Sequence, residues 1–347
     1  MTARALRQDG PGTETVPGPP RRLLGLGVAL VVLVVLLVLS VMIGSTAIAP
    51  SVVWDALFHS SADIDQFAIR DFRLPRTIMG LVVGVALGLS GALIQALTRN
   101  PLADPGVLGV QAGASFAVTV AVGLLGVRDI QGYMWFAFAG ALIVTLLVLA
   151  LGSTRHGSSP VVMVLAGVCV SAVLGGAREA LQLTDPAAFD AMRNWNAGSI
   201  VGRPLEVVWP LLPFFAVALV LAFAVSGPLN ALALGDELAV AQGVRLVRTR
   251  VLAVIALTLL AGGATAIAGP IGFVGLMVPH VARWIVGPHQ RWIFAYSILL
   301  APSLLLVSDI LGRIVMRPGE IPVGIVTAFV GAPVLVALAR RKKSSAL

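Results

Sequence analysis

Long uncharged apolar runs recur along this chain, and they constrain its fold more than any other feature. The first extends from Leu23 to Ile43, long enough to cross the ~30 Å hydrocarbon core of a bilayer as a helix. Similar runs follow between short polar connections, and 58% of the 347 residues are hydrophobic while 12% are charged. Unbroken runs indicate helices, since the strands of a membrane barrel alternate every second residue. The sequence therefore predicts an all-α, polytopic membrane protein.

Ten membrane spans are predicted from these runs, with a disordered tail before them at 1–22 and a basic tail after them at 340–347. The first span is too long for the apolar region of a signal peptide, so a retained span is favoured over a cleaved one, although Ala47-Ile48-Ala49 resembles a cleavage site. The ten-helix domain occupies 23–339, and its spans are 23–43, 77–97, 106–125, 133–151, 161–183, 207–226, 251–270, 272–286, 292–312 and 321–339.

Two internal similarities suggest that the domain has two halves. "GVALGLSGALIQALTRNPLADPG" from Gly84 and "GGATAIAGPIGFVGLMVPHVAR" from Gly262 both pass from a small-residue helix to a segment broken by glycine and proline. "SPVVMV" and "IPVGIV" open the fifth and tenth spans. Because five is an odd number of spans, the second half is predicted to be inverted in the membrane, as in many transporters.

The distribution of basic residues predicts the orientation. Fifteen of the 24 lysines and arginines fall on the side of the amino terminus, eight fall on the opposite side, and Arg178 lies within a span. Basic residues are enriched in cytoplasmic loops, so both termini are predicted to be cytoplasmic. This bias also accounts for the high isoelectric point without any nucleic-acid partner.

Three arginines precede the second span on the predicted outer side. They lie in "FAIRDFRLPRTIMG", at Arg70, Arg73 and Arg76. From composition alone they either extend to lipid headgroups or form a surface for a partner. At the end of the ninth span, Asp309 and Arg313 are spaced to form an exposed ion pair on a helix, worth a few tenths of a kcal/mol.

Other features have structural interpretations. Gly80, Gly84, Gly88 and Gly91 are spaced for close helix packing. Cys169 is interpreted as a small buried hydrophobic residue. The four histidines show no metal-ligand spacing, and neither a metal site nor a cofactor is predicted. The connection "LGDELAVAQG" from Leu234 is predicted to form a short amphipathic helix, which suits contact with a cytosolic partner or with the bilayer surface.

The chain resembles the permease family of bacterial ABC importers for ferric siderophores, haem and vitamin B12, the FecCD/BtuC type. The resemblance runs from about Phe72 to Ala337. It rests on "FRLPRTIMGLVVGVALGLSGALIQALTRNPLADPGVLGVQAGAS" (72–115), "LGDELAVAQGV" (234–244), "AIAGPIGFVGLMVPHVAR" (266–283) and "IPVGIVTAFVGAPV" (321–334).

This resemblance implies an importer permease in the cytoplasmic membrane, paired with a second permease subunit that is identical or paralogous. Two ATP-binding subunits and an extracytoplasmic solute-binding protein complete the assembly. Ferric siderophore is the favoured cargo, with cobalamin or haem as alternatives. The implied residues are Arg73, Arg76 and Arg313 for docking of the binding protein, Gly235, Asp236, Glu237 and Ala239 for ATPase coupling, and Ser159, Pro160 and Val161 for the narrowing of the pathway.

The charges within the spans leave one alternative open. Arg178 and Glu179 either line the pathway or pair with another helix.

An ion-coupled secondary transporter remains the second function class. Such coupling usually needs acidic residues or histidines deep in the spans, whereas Glu179 and Asp309 lie toward span ends. Because the two lysines are Lys342 and Lys343, no phosphate-binding GxxxxGK[ST] loop can precede them. The chain is therefore predicted to be a transport subunit without its own ATPase.

Overall fold

A computed structural model describes residues 19–44, 48–59, 64–154, 157–158, 160–184, 190, 192–193, 195–317 and 319–340. Helices dominate these residues, and the one strand pairing among them joins two-residue strands, β1 (Ser153–Thr154) and β2 (Gly157–Ser158). The all-α prediction is confirmed.

Among the described residues, seven helical segments are long and apolar enough to cross a membrane, and three shorter apolar helices lie at the remaining predicted spans. Two short helices, α2 and α3, precede the second span, and a third, α9, follows the sixth. In chain order the helices are α1 (Pro19–Met42), α2 (Pro50–Phe58), α3 (Ile64–Phe67), α4 (Leu74–Thr98), α5 (Val110–Gly123), α6 (Ile130–Gly152), α7 (Pro160–Thr184), α8 (Leu212–Ala233), α9 (Asp236–Ala241), α10 (Leu246–Ala268), α11 (Val274–Val286), α12 (Gln290–Val315) and α13 (Val323–Arg340).

Two helix boundaries differ from the prediction, and two short helices were not predicted. Helix α1 begins at Pro19, inside the predicted disordered tail, whose residues 1–18 lie outside the described residues. Helix α8 continues past Pro228 to Ala233, because a proline removes a single backbone donor and a helix in lipid must keep the others bonded. Helices α2 and α3 were not predicted. Helix α2 contributes Val53 and Ala56 to a second small core, which Val41, Ile48 and Ile69 complete.

Helix α4 lies at the centre of the bundle and is packed through its glycines, as predicted. A Cβ on Gly84 would lie 2.4 Å from the Cα of Pro302, and one on Gly91 would lie 1.8 Å from the carbonyl oxygen of Gly275. A Cβ on Gly88 would lie 2.5 Å from the Cβ of Ala301. Backbones this close leave no room for a side chain. Small residues let the helices approach each other closely, and this packing replaces the hydrophobic effect, which does not drive helix association within lipid.

Two neighbours of α4 define the two ends of the molecule. Helix α12 runs antiparallel to α4, since Arg76 contacts Asp309 and Gly88 packs on Ala301. Helix α1 runs parallel to α12, because the Tyr296 hydroxyl donates to the Arg22 carbonyl near the start of both helices, while Arg313 binds the last turn of α1. We call the end with Arg76 and Arg313 the arginine end and the opposite end, which holds α9, the loop end.

Broken segments follow α4 and α10, at 99–109 and 269–273. Gly109 and Gly269 have φ values of 76° and 75°, and Phe273 has an unusual φ of 67° for a bulky residue. Pro279 cannot donate to the carbonyl of Gly275, and the amide of Gln95 donates to that carbonyl and to the next one, at 3.4 and 2.9 Å. The helix, break, helix order recurs as the sequence similarity suggested. The inversion of the second half stays a prediction.

Candidate functional sites at the two ends of the bundle

A buried ion-pair network lies at the arginine end. The carboxylate of Asp309 is inaccessible and accepts hydrogen bonds from Arg76, with Nε at 2.9 and 3.0 Å, and from the Nε of Arg313 at 3.0 Å. Arg76 Nη1 also donates to Glu320 at 2.6 Å. One carboxylate thus holds two buried guanidinium groups, and a second carboxylate, 29% exposed, binds one of them from the surface.

Arginines from this end also cap α1. The last carbonyls of a helix have no partner within the helix and carry its negative pole. Here they are satisfied by guanidinium groups from other segments. The pairs are Arg73 with Val41 and Met42 (3.0 and 2.8 Å), Arg313 with Ser40 and Ile43 (2.7 and 2.8 Å), and Arg317 with Gly44 (3.1 Å).

The predicted exposed pair of Asp309 and Arg313 is therefore wrong in its exposure. Asp309 is 0% and Arg313 is 2% exposed. The four-residue spacing correctly predicts that the two side chains meet on one helix, but it does not show that α1 and α4 cover the pair. Breaking a buried pair costs several kcal/mol rather than a few tenths. Arg70, which had no implied role, binds the carbonyls of Ala56 and His59 instead.

A cavity of about 310 Å³ opens onto this network. The three arginines implied for docking all line it, together with Glu320. The remaining wall is small or apolar and includes Gly44, Phe72, Val201 and Gly202. Arginines thus outnumber carboxylates among the charged side chains of the wall, and their forked donors suit a carboxylate ligand.

A short exposed helix occupies the loop end. Helix α9 begins after Gly235, whose φ is 112°, and ends before Gly243, whose φ is 82°. The helix predicted in "LGDELAVAQG" is therefore confirmed. Glu237, Leu238 and Val240 are exposed, so an apolar surface with one acid projects from the bundle.

Two of the four residues implied for ATPase coupling contact the rest of the chain. Ala239 is 0% exposed. Asp236 binds Arg99 and, at 2.7 Å, Arg250. Burial raises the pKa of Asp236, but the hydrogen bonds from Arg250 and Arg99 outweigh it and lower the pKa below its ordinary value. Asp236 therefore stays ionised at neutral pH and ties α9 to α4 and α10.

Helix α4 links the two sites directly. Arg76 lies in its first turn and Arg99 caps its last turn in a left-handed conformation with a φ of 51°. Its 25 residues span roughly 37 Å. One packed helix therefore connects the two sites.

Helix α7 carries the residues implied for the pathway. It packs on one side, where a Cβ on Gly167 would lie 1.8 Å from the carbonyl oxygen of Val107. Its other side is open, with Val161 76% exposed, and Glu179 and Cys169 also exposed. The interpretation of Cys169 as buried is wrong for this chain. Arg178 is half-buried, Ser159 lies outside the described residues, and Pro160 begins the helix.

Sequence reasoning missed two members of the arginine-end network, Ser40 and Glu320. The hydroxyl of Ser40 lies 2.8 Å from that of Thr77 and accepts from Arg313 at 3.0 Å. A serine near the end of an apolar run is a common feature and carries no signal of a contact 273 positions away. Glu320 had a usable signal, because it immediately precedes the "IPVGIV" segment.

The apolar helices of the described residues, with polar sites at both ends of the bundle, define a multi-pass membrane protein. A family model described as the FecCD transport family matches residues 32–341, and the chain belongs to this family. It is thus the permease subunit of an ABC transporter, a class that works with ATPase and binding-protein partners.

Named relatives match most of the chain. The ferric enterobactin transport system permease protein FepD of Escherichia coli is 46% identical over 314 residues, which cover 90% of this chain and 94% of the relative. The iron(3+)-hydroxamate import system permease protein FhuB of Bacillus subtilis is 37% identical over 307 residues, covering 88% and 80%. A solved structure of a metal-chelate type ABC transporter, in an inward-facing conformation, matches with a TM-score of 0.79 and 28% identity, covering 93% of this chain and 99% of that one.

Proposed function

We propose that this chain forms the pathway of an ABC importer that carries ferric siderophores across the cytoplasmic membrane. The observation that carries the proposal is one central helix, α4, that joins an arginine-lined cavity to an exposed coupling helix. Such an arrangement suits a permease that receives cargo at one end and ATP-driven movement at the other. The basic residues near α9 and α1 favour a cytoplasmic loop end with both termini there.

The proposed cargo follows from the relatives. Two of them are named for ferric enterobactin and for iron(3+)-hydroxamate, which are chelates of iron. Because the ferric enterobactin permease is 46% identical to this chain, we infer that this chain also imports a ferric siderophore. Cobalamin and haem, which the family resemblance also implies, are the alternative cargoes.

The proposal distinguishes this chain from an ion-coupled transporter by its energy source. Reconstituted with its ATPase and binding protein in proteoliposomes, the permease is expected to import ferric siderophore when ATP is supplied, and an ionophore should leave the rate unchanged. Import that continues without ATP and stops with the ionophore would contradict the proposal and support the secondary transporter.

At the arginine end, we propose that the cavity receives a carboxylate of the solute-binding protein. Arg76 and Arg313 are held in place by Asp309 and by the carbonyls of α1, so their geometry is fixed before the partner arrives. Glu320 binds Arg76 from the cavity side. It therefore occupies a position that the partner's carboxylate would take, and the two would compete.

Opposite charge changes in the cavity are expected to have opposite effects on docking. Val201→Asp places an acid on the cavity wall without touching the buried network, and should weaken binding of the solute-binding protein about tenfold or more. Glu320→Gln removes the competing carboxylate and should tighten binding several-fold. Affinity would be measured by surface plasmon resonance at low and at physiological salt.

The matched control is Leu125→Asp, since Leu125 is exposed in the loop after α5 and is absent from the cavity wall. It adds the same charge and should leave affinity nearly unchanged. Equal weakening by both aspartates, or weaker docking of Glu320→Gln, would contradict docking in this cavity.

At the loop end, we propose that α9 fits the ATPase through Leu238, Val240 and Glu237, while Gly235, Asp236 and Ala239 set its position. Leu238→Asp places a charge at the centre of the apolar contact and should reduce recovery of the permease–ATPase complex about tenfold or more. Val247→Asp is the control, because Val247 is 77% exposed on α10 outside the coupling helix. Recovery of the complex is measured for both variants by co-purification in detergent. Equal recovery of the two variants would contradict the proposed contact between α9 and the ATPase.

The open face of α7 is proposed to meet the second permease subunit around the pathway. Val161, Leu165 and Val173 are 76%, 62% and 72% exposed on this helix, and Phe329 is 77% exposed on α13. Their cover is either lipid or a second copy or paralogue, and the dimeric architecture implied by the family favours a subunit. Arg178 and Glu179 would then face the pathway, and Ser159, Pro160 and Val161 its narrow end.

A further inference from the structure

A basic and aromatic patch lies at the loop end, where α1 and α12 begin side by side. Its members are Arg21, Arg22, Arg291, Trp292 and Tyr296. The guanidinium carbon of Arg22 lies 5.8 Å from the centre of the Trp292 ring, and the Tyr296 hydroxyl donates to the Arg22 carbonyl at 2.7 Å. The patch is remote from the arginine-lined cavity, because α1 and α12 separate them by their full lengths.

The arginines of this patch lack a counter-charge within the part of the chain that the structure describes. Arg21 and Arg291 are exposed, and neither of them nor Arg22 is in an ion pair among the described residues. The Nε of Arg22 is buried without a described hydrogen-bond partner. By contrast, Arg99 and Arg250 beside α9, and the three arginines of the cavity, contact carboxylates or carbonyls. The patch therefore has donors and charge to offer an external anion.

The surface next to the patch is apolar. Along α1, Leu23, Leu24 and Val28 are 59%, 72% and 58% exposed. This surface continues from the arginines into the membrane-spanning part of the helix. A ligand that matches both features has an anionic head and hydrocarbon chains that extend along the helix. A soluble phosphate would satisfy only the charge.

We propose that this patch binds the phosphate of an anionic phospholipid. The phosphodiester oxygens would accept hydrogen bonds from Arg21, Arg22 and Arg291, since guanidinium groups suit phosphate geometry. Trp292 would lie at the headgroup level, where such aromatic residues are enriched, and the buried Tyr296 holds α1 against α12 beneath it. The acyl chains would cover Leu24 and Val28. Basic residues at the cytoplasmic face of membrane proteins recognise anionic lipids in this way.

The lipid would have a structural consequence for the rest of the molecule. Helix α1 is mostly exposed, and the carbonyls of its last turn hold Arg73 and Arg313. A lipid that bridges the first turns of α1 and α12 would steady α1 at the loop end. It would thereby help to keep the capped end in the geometry that positions those arginines.

Native mass spectrometry of the permease complex, released from nanodiscs of equal phosphatidylglycerol and phosphatidylethanolamine, tests this site. The wild type should retain phosphatidylglycerol preferentially. Arg21→Gln combined with Arg291→Gln should reduce that preference roughly tenfold. Arg245→Gln combined with Arg248→Gln removes the same charge from exposed positions on the same end, outside the patch, and should preserve it.

Equal retention of both lipids by the wild type, or equal loss in both double variants, would overturn the proposal, since the attraction would then be non-specific. A competition arm uses inorganic phosphate at millimolar concentration. Displacement of the lipid by phosphate would show that the site takes a free anion and would also overturn it. Unchanged retention in that arm is expected, because the acyl contacts contribute to binding.

Discussion

Replacing Asp309 by asparagine is expected to unfold much of the arginine end. The substitution keeps the shape of the side chain and removes the charge that balances Arg76 and Arg313, both of which are buried. Removing one partner of a buried ion pair typically costs about 3–5 kcal/mol. Because Arg313 also caps α1, the loss should extend to the packing of that helix. The yield of monodisperse protein and its unfolding temperature in detergent would both fall.

Glu320→Gln provides the comparison for this result. The side chain of Glu320 is 29% exposed and contacts only one of the same arginines, so its loss should cost less than about 1 kcal/mol. A stability of Asp309→Asn equal to that of Glu320→Gln would show that the buried network is not needed for folding.

Gly91→Ala is expected to be the most disruptive single methyl addition in the bundle. The new Cβ would lie 1.8 Å from the carbonyl oxygen of Gly275. Neither backbone can give way without separating α4 from α11, and overpacking of this kind costs more than about 3 kcal/mol where no flexible side chain can yield. Loss of the folded peak in size-exclusion chromatography would be the readout.

Gly27→Ala is the matched control, because it makes the same change on an exposed helical position. No atom lies within 4 Å of a Cβ at Gly27. Alanine favours a helix over glycine by roughly 0.5–1 kcal/mol, so this variant should be as stable as the wild type or slightly more so. A folded Gly91→Ala protein of unchanged stability would contradict the close approach of α4 and α11.

Much of the fold could be predicted from the sequence, because a bilayer demands long apolar helices and their lengths are visible as runs. Each of the ten predicted spans coincides with an apolar helix among the described residues, and α9 lies between its two glycines as predicted. The glycines of α4 were correctly interpreted as packing residues, since lipid leaves close contact as the main source of helix association. Helix α2 escaped prediction because its core depends on Val41 and Ile69, which come from other segments.

The sites were predicted less completely than the spans. Sequence spacing placed Asp309 and Arg313 one turn apart, but burial depends on α1 and α4, which are distant in the chain. The motif around α9 marked the right segment without indicating that Ala239 is buried and that Asp236 pairs with Arg99 and Arg250. Local pattern therefore identified the segments, and only packing between helices determined which side chains remain accessible.

The central claim is best tested by uptake in a bacterium that lacks this gene and its paralogous permeases. Radiolabelled ferric siderophore, cobalamin and haem would be compared side by side. We expect the wild-type gene and Leu125→Asp to restore siderophore uptake, while Val201→Asp restores it poorly and the other two cargoes show no response. Restored uptake of cobalamin or haem without that of ferric siderophore would contradict the assigned cargo, and full activity of Val201→Asp would contradict docking at the arginine end.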